Sequence, residues 1–330
     1  MPYKFKNLVF EGGGVKGIAY GGALEILAEK KILAEIERVA GTSAGAITAG
    51  LLALGFSHQE ITEILKSTNF RHFMDGSFLG NLFGFIKFYG WFKGKVFQRW
   101  FESLVEKKTG SKNTTFAALA DKSIIDKKYR LLYVIGTNVN KDETELFSAE
   151  TTPHMRIADA IRISMSIPIF FRSVKRKGIT YVDGGVYYNY PIDLFDNKKY
   201  VSPPHSLPIT YNPDPDAVYN KETLGLRVDN KDEIARDLKK RATPKTKIKN
   251  LKQYVVALVG GLLDNLNKMH IHKNDWHRTI YCDALGVGTT DFDLDPATID
   301  ELIQSGRNGA ISYLNWFDNP AIDEEQPINK

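Results

Sequence analysis

A single cysteine, Cys282, stands in the 330 residues of this chain. One thiol excludes an internal disulfide framework and fits a reducing compartment, where it reads as a small buried hydrophobe. Long apolar runs are missing as well. With no stretch of 18 apolar residues, no segment is expected to cross a membrane. The opening MPYKFKNLVF lacks the apolar core of a secretory signal, so a cytoplasmic protein is expected. No cluster has the ligand spacing of a zinc or calcium site, so neither metal nor cofactor is expected. Internal repeats and low-complexity segments are absent too.

What is present is the composition of an ordinary globular protein, 43% hydrophobic and 25% charged, long enough to bury a sizeable core. The net charge of +5 is modest, and its distribution matters more than its sum. Residues 7–11 (NLVFE) read as a short buried strand that ends at Gly12, and 15–33 as a helical pattern. Gly21 and Gly22 weaken that helix and imply a backbone that something approaches closely. Residues 36–40 form a second short strand, followed by a turn and a helix over 46–54. SHQE at 57–60 is a capping box that opens the next helix. LLYVIGT at 131–137 and ITYV at 179–182 are further strands, and 300–316 a late helix. Short buried strands alternating with helices predict an α/β fold of three layers, α/β/α, around a mostly parallel sheet. After about residue 195 the character changes to a proline-rich loop, a charged stretch and an amphipathic helix candidate at 253–271.

Two glycine turns carry the chemistry. GGGVKG at 12–17 satisfies G-x-G-x-x-G between a strand and a helix, which suits a dinucleotide phosphate. The same inward-facing amides would equally hold a transient oxyanion. GTSAG at 41–45 fits G-x-S-x-G, in which a serine on a sharp strand-to-helix turn presents its hydroxyl. The bland alternative is a plain turn whose Thr42 or Ser43 caps the helix. A dinucleotide site wants an acidic residue at the end of the second strand, whereas Glu35 and Glu37 stand at its start and its end carries GTSAG. The nucleotide reading therefore loses.

A serine needs a base. The seven histidines lie outside any strand-end glycine context. Asp183 ends an apolar strand and is followed by Gly184 and Gly185, which let the chain turn around its carboxylate. Its bland reading is an Asp-Gly turn. Partial burial without a cationic partner would raise its pKa and make it a better base near neutrality.

GGGVKG at 12–17, GTSAG at 41–45 and DGG at 183–185, in that order, resemble the patatin-like phospholipase family over roughly residues 8 to 191. The resemblance implies a Ser43–Asp183 dyad, with Gly12, Gly13 and Gly14 as the oxyanion hole. Lys16, Gly17, Gly41, Gly45, Gly184 and Gly185 support the motifs. It further implies a lipid acyl hydrolase of phospholipase A or lysophospholipase type, an ester hydrolase working through an acyl-enzyme. Lys16 stands where the family usually has arginine, which keeps the charge but loses the planar fork. The segment SMSIP at 164–168 resembles the one that walls the family's active site. Residues 1–200 are expected to form the catalytic domain, with 201–330 as an extension packed on it.

Two segments bear on how lipid is met. Residues 78–101 hold ten aromatics, four glycines and no acidic residue. They fit either a flap that dips into a lipid interface or a buried aromatic cluster. Residues 238–252 carry seven Lys or Arg and no acid, and read as a solvated loop or a basic patch for peripheral docking on an anionic membrane. No aromatics interleave with those lysines, so nucleic acid is not an expected partner. A general serine esterase and a catalytically silent lipid-binding module are the competing functions.

Overall fold

The computed structural model describes residues 3–75, 90–209, 213–230 and 275–319. Its centre is an eight-stranded sheet. The strands, in chain order, are β1 (Asn7–Phe10), β2 (Arg38–Gly41), β3 (Gly90–Phe92), β4 (Leu131–Asn138), β5 (Glu143–Phe147), β6 (Ile169–Phe171), β7 (Val174–Arg176), β8 (Ile179–Asp183), β9 (Ser206–Pro208), β10 (Val218–Asn220), β11 (Thr223–Asp229) and β12 (Thr279–Asp283). Hydrogen bonds link β12, β11, β1, β2, β4, β8 and β7 in that order, with β5 also on β4. The five strands from β12 to β4 are mutually parallel, and β5, β7 and β8 run antiparallel to their neighbours. The fold is therefore the α/β class with a mostly parallel sheet.

The helices are α1 (Ala19–Glu29), α2 (Ala44–Ala53), α3 (His58–Ser67), α4 (Lys95–Thr109), α5 (Phe116–Ile125), α6 (Ile157–Ser164) and α7 (Pro296–Asp318). α3 opens with the capping box expected at Ser57 and Glu60, its two reciprocal bonds measuring 3.2 and 2.9 Å. The first glycine run coils into a 3-10 turn at Gly14–Ile18 before α1 begins, so the helix starts later than apolar periodicity implied. A strand buried on both faces is apolar or has its polar groups bonded: Leu8, Val9 and Phe10 of β1 are apolar, and buried Asn7 donates through Nδ2 to Thr223 Oγ1 at 3.2 Å. Leu8, Phe10, Val39 and Leu132 face the main core, while Val9, Ala40 and Tyr133 pack with Tyr190, Ile192 and Phe195 on the other side. Gly22 in α1 and Gly306 in α7 let the two helices meet: a Cβ on Gly22 would collide with the Ile303 carbonyl, and one on Gly306 with that of Ala19. That contact offsets the helix cost of glycine.

Residues beyond 200 supply β11 and β12, next to β1, and α7 against α1. The proline-rich loop expected after about residue 195 contains β9, paired antiparallel with β10.

Register on β4 fixes the working end of the sheet. Val134 pairs with both Gly41 and Phe147, so β2 and β5 lie on opposite edges of β4. Gly136 pairs with both Glu145 and Asp183, so β8 lies opposite β5 and on the edge β2 occupies. Two positions along β4 separate the partner of Gly41 from that of Asp183. β8 thus comes in head-on where β2 stops, and delivers Asp183 just beyond the Gly41 turn. The sequence reading had Ser43 and Asp183 at equivalent strand ends; the antiparallel entry of β8 is what makes those ends meet.

Candidate active site

Ser43 follows β2 and immediately precedes α2, at φ 54° and ψ −126°. That conformation favours glycine and is strained for serine. Sterics require it. A Cβ on Gly45 would sit 2.5 Å from the Phe10 and Glu11 carbonyl oxygens, and one on Gly41 would sit 2.5 Å from the Gly45 carbonyl carbon. Only glycines let the turn close against β1. The Ser43 N–H donates to Ser164 Oγ at 2.9 Å, and Thr42 Oγ1 donates to the Tyr188 carbonyl at 3.0 Å. The Ser43 side chain is buried, and its hydroxyl faces the Met165 sulfur at 3.8 Å.

Asp183 is held through its backbone: its N–H donates to the Ser166 carbonyl at 2.9 Å and its carbonyl accepts Thr137 Oγ1 at 2.9 Å. Oδ1 accepts the Gly185 N–H at 2.8 Å, and Oδ2 is buried without a hydrogen-bond partner. Burial pushes this carboxyl up to about 7, against which the Gly185 amide and the nearby Ser43 hydroxyl pull down. Ser43 thus lies within reach of the Asp183 carboxyl, the contact through which its hydroxyl favours the ionised form. The glycines after Asp183 are needed for space, since a Cβ on Gly184 would lie 2.5 Å from the Ile135 carbonyl oxygen and one on Gly185 2.7 Å from Asn189 Oδ1.

The first glycine turn lies against the nucleophile. A Cβ on Gly12 would be 3.1 Å from the Ser43 Cβ and would collide with Asn189 Oδ1. Asn189 grips Gly12 twice: its carbonyl accepts the Gly12 N–H at 3.1 Å, and its Nδ2 donates to the Gly12 carbonyl at 2.8 Å. The Gly12 amide is thereby occupied, whereas the N–H groups of Gly13 and Gly14 make no hydrogen bond among the described residues. Gly14 adopts φ 57° and abuts the Thr289 carbonyl, which also accepts the Val15 N–H at 3.2 Å. A Cβ on Gly17 would stand 3.3 Å from that of Ala44, so the 3-10 turn packs on the first residue of α2. Lys16 folds back over the turn, its Cε 3.8 Å from where a Gly13 Cβ would be, and its charge favours an ionised Glu11.

Beneath the turn is a buried charge cluster that sequence reading missed. Arg227 Nε reaches Asp229 Oδ2 at 2.6 Å and Glu11 Oε1 at 3.3 Å, and the Val228 N–H donates to Glu11 Oε2 at 3.1 Å. Burial and the neighbouring Asp229 carboxylate raise Glu11, and Arg227 opposes them. Asn189 and Met165 were missed as well. Asn189 closely follows the Asp-Gly-Gly turn in VDGGVYYNYP, and only the folded chain shows it gripping Gly12. Met165 lies in the wall segment at 164–168, but a lone methionine between two serines gives no sequence signal.

Other candidates lie elsewhere. None of the described histidines hydrogen-bonds to Ser43 or Asp183: His205 pairs with Glu222 at 2.6 Å and His277 stacks on Trp276. His270 and His272 lie outside the described residues, as do residues 78–89, the basic stretch at 238–252 and the helix candidate at 253–271. In the described part of the aromatic segment, Phe97 and Phe101 are fully buried, so packing accounts for them. Phe92 is half-buried, its ring centroid 4.9 Å from that of Phe170, which in turn lies 5.1 Å from that of Phe292 in a tilted contact. No group of metal-ligating side chains occurs among the described residues, and none of their helices is long and apolar enough to cross a membrane. Cys282 is fully buried.

Residues 8–196 match the model of the patatin-like phospholipase family, and this chain belongs to that family. Among its relatives, the Bacillus subtilis (strain 168) protein YqhO is 31% identical over 324 residues, 94% of this chain and 98% of that protein. A protein of Invertebrate iridescent virus 6, named a "probable lipid hydrolase", is 32% identical over 60% of this chain and 67% of its own length. A protein of Acanthamoeba polyphaga mimivirus is 34% identical over 59% of this chain, a match that spans 62% of the viral protein. The crystal structure of VipD from Legionella pneumophila superposes with a TM-score of 0.61 at 17% identity, covering 94% of this chain and 67% of VipD. That likeness is one of fold.

Proposed function

We propose that this chain is a lipid acyl hydrolase of phospholipase A or lysophospholipase type, a carboxylic ester hydrolase with Ser43 as nucleophile and Asp183 as general base. The observation that supports it most is a strained, buried serine at a Gly-flanked turn, within reach of a carboxyl with one oxygen unpartnered and no cation beside it. A structural aspartate would be paired; this one is left available for a proton.

The reaction runs in two halves. As Ser43 Oγ attacks the ester carbonyl carbon, its proton passes to Asp183 Oδ2 and the carbonyl oxygen becomes an oxyanion. Gly13 and Gly14 supply the N–H donors for that charge, and the Gly12 amide keeps the turn in place through Asn189. Asp183 returns the proton to the leaving alcohol or lysolipid as the ester C–O bond breaks, leaving an acyl-Ser43. Water then attacks the acyl carbon, gives a proton to Asp183 and releases the fatty acid as Ser43 recovers its own. A carboxyl at about 7 suits both transfers near neutrality. The half-buried Phe92, Phe170 and Phe292 offer apolar surface for the acyl chain, beside the Thr289 strap that touches Gly14. Residues 201–330 act as part of the same catalytic domain, because β11 brings Arg227 to Glu11 directly below the oxyanion turn.

The test is fatty-acid release from phosphatidylcholine, lysophosphatidylcholine and triglyceride, read by mass spectrometry of both products. The wild-type chain should release fatty acid from at least one, and Ser43→Ala should lower the rate at least about a thousandfold. Cleavage of short soluble esters alone would favour a general esterase. Vesicle binding without any acyl release at high protein concentration would favour a silent lipid-binding module.

A further inference from the structure

Two acceptors lie near one hydroxyl hydrogen. Ser43 Oγ faces the Met165 thioether at 3.8 Å and also lies within reach of the Asp183 carboxyl, whose Oδ2 is buried and unpartnered. We propose that Met165 is a positioning residue that accepts the Ser43 hydroxyl hydrogen in the resting site and so sets how readily Ser43 closes on Asp183. The inference rests on the hydrolase reading above and deepens it.

The placement is built into the fold. Residues 164–166 touch both members of the pair. Ser164 Oγ accepts the Ser43 N–H at 2.9 Å, and the Ser166 carbonyl accepts the Asp183 N–H at 2.9 Å. Met165 lies between these anchors, its own N–H bound to the Ile161 carbonyl at 3.0 Å and its side chain nearly buried. The sulfur therefore has little freedom to leave the hydroxyl.

A thioether is a weak acceptor and cannot outbid an ionised carboxylate. It matters when Asp183 is protonated. The carboxyl then carries an O–H that can donate to Ser43 Oγ and is a far weaker acceptor than the carboxylate, so the serine hydrogen needs another home. Met165 supplies that home. The chain from Asp183 through Ser43 to Met165 is complete only while the base holds its proton, so the sulfur favours the resting state. The other groups acting on Asp183 are the Gly185 amide, from the following turn, and burial itself. No charged side chain is among them.

Two variants of nearly the same size test this in opposite directions. Met165→Leu keeps the volume and removes the acceptor, so the midpoint of the kcat/KM profile should fall by about half a pH unit to one unit. Met165→Gln offers a stronger acceptor, and its midpoint should rise by a similar amount. The rate of Ser43 modification by a fluorophosphonate, followed by mass spectrometry across the same pH range, should shift in parallel. A midpoint that stays put in both variants, or moves the same way in both, overturns the inference, since packing changes alone alter rates without opposed shifts. Should wild type neither hydrolyse lipid nor react with the fluorophosphonate at Ser43, the hydrolase reading fails instead. Circular dichroism on each variant separates misfolding from either result, and Met165→Ile then replaces a variant that fails to fold.

Discussion

Asp183 is buried and Asp196 partly so, and the fold treats them in opposite ways. Asp196 meets the Arg278 guanidinium at 2.6 and 2.7 Å, one oxygen to each terminal nitrogen, and accepts the Asn220 N–H at 3.1 Å. Arg278 is shared with Asp275, and the three tie β12 to the segment that follows β8. Burial raises Asp196, but the arginine bonds pull it back. Asp183 has a single amide on one oxygen and nothing on the other. A carboxylate whose work is structural is given a counter-charge in a matching fork. A carboxylate whose work is to exchange a proton is left short of partners and without a counter-charge, so burial dominates its affinity for that proton.

Neutralising each aspartate should separate the two roles. Asp183→Asn keeps the Oδ1 acceptor for Gly185 and removes only the exchangeable proton site. Ester hydrolysis should fall at least about a thousandfold, while the melting temperature stays level or rises. Asp196→Asn should do the reverse. It leaves part of a buried guanidinium uncompensated and should cost about 3 kcal/mol of stability, with turnover per folded molecule unchanged. Denaturant melts and initial rates on both proteins decide it. If Asp183→Asn retains activity, or Asp196→Asn abolishes it without unfolding, the distinction collapses.

The same contrast appears in pH dependence. The Asp183 carboxyl stands at about 7 in the native chain against 3.8 when solvated. Between these values the unfolded chain has released a proton that the native chain retains, so stability should decline as pH climbs through that window and level off above it. The decline should be a few kcal/mol at most. Activity needs the ionised base and should rise over the upper part of that range, reaching its plateau about a unit above the midpoint. Asp183→Asn should flatten the stability decline. If Asp183→Asn left the change in stability between pH 4 and 7 as it is in wild type, Asp183 would be better solvated than its burial implies.

How far all this could be read from sequence follows the range of the interactions. Strand-end glycines, the capping box at Ser57 and the apolar run at residues 8–10 of β1 are local devices with local signatures, so the fold class and the three motifs were legible. The antiparallel arrival of β8 was not, because direction in a sheet depends on what the chain does between elements. Asn189 gripping Gly12 and Arg227 reaching Glu11 join residues far apart in the chain, and nothing beside either residue advertises its partner. Gly12 shows the limit well. Its place in a glycine run suggests an oxyanion donor, yet its N–H is spent on the Asn189 carbonyl.

The smallest expected effect concerns the nucleophile's own backbone. Ser43 is held at φ 54° and ψ −126°, a conformation glycine enters freely and a side chain resists. It persists because Gly41 and Gly45 pack too closely for the turn to relax. Ser43→Gly should therefore be more stable than Ser43→Ala by about 1 kcal/mol, even though alanine is the better helix former and both lack the hydroxyl. At an unstrained helix start the order would be reversed or lost. Equal melting temperatures for the two variants would mean that the turn carries no strain. The serine's exposure to attack would then owe nothing to its backbone, and Asp183 alone, the unpaired carboxyl, would mark this end of the sheet as different from the rest.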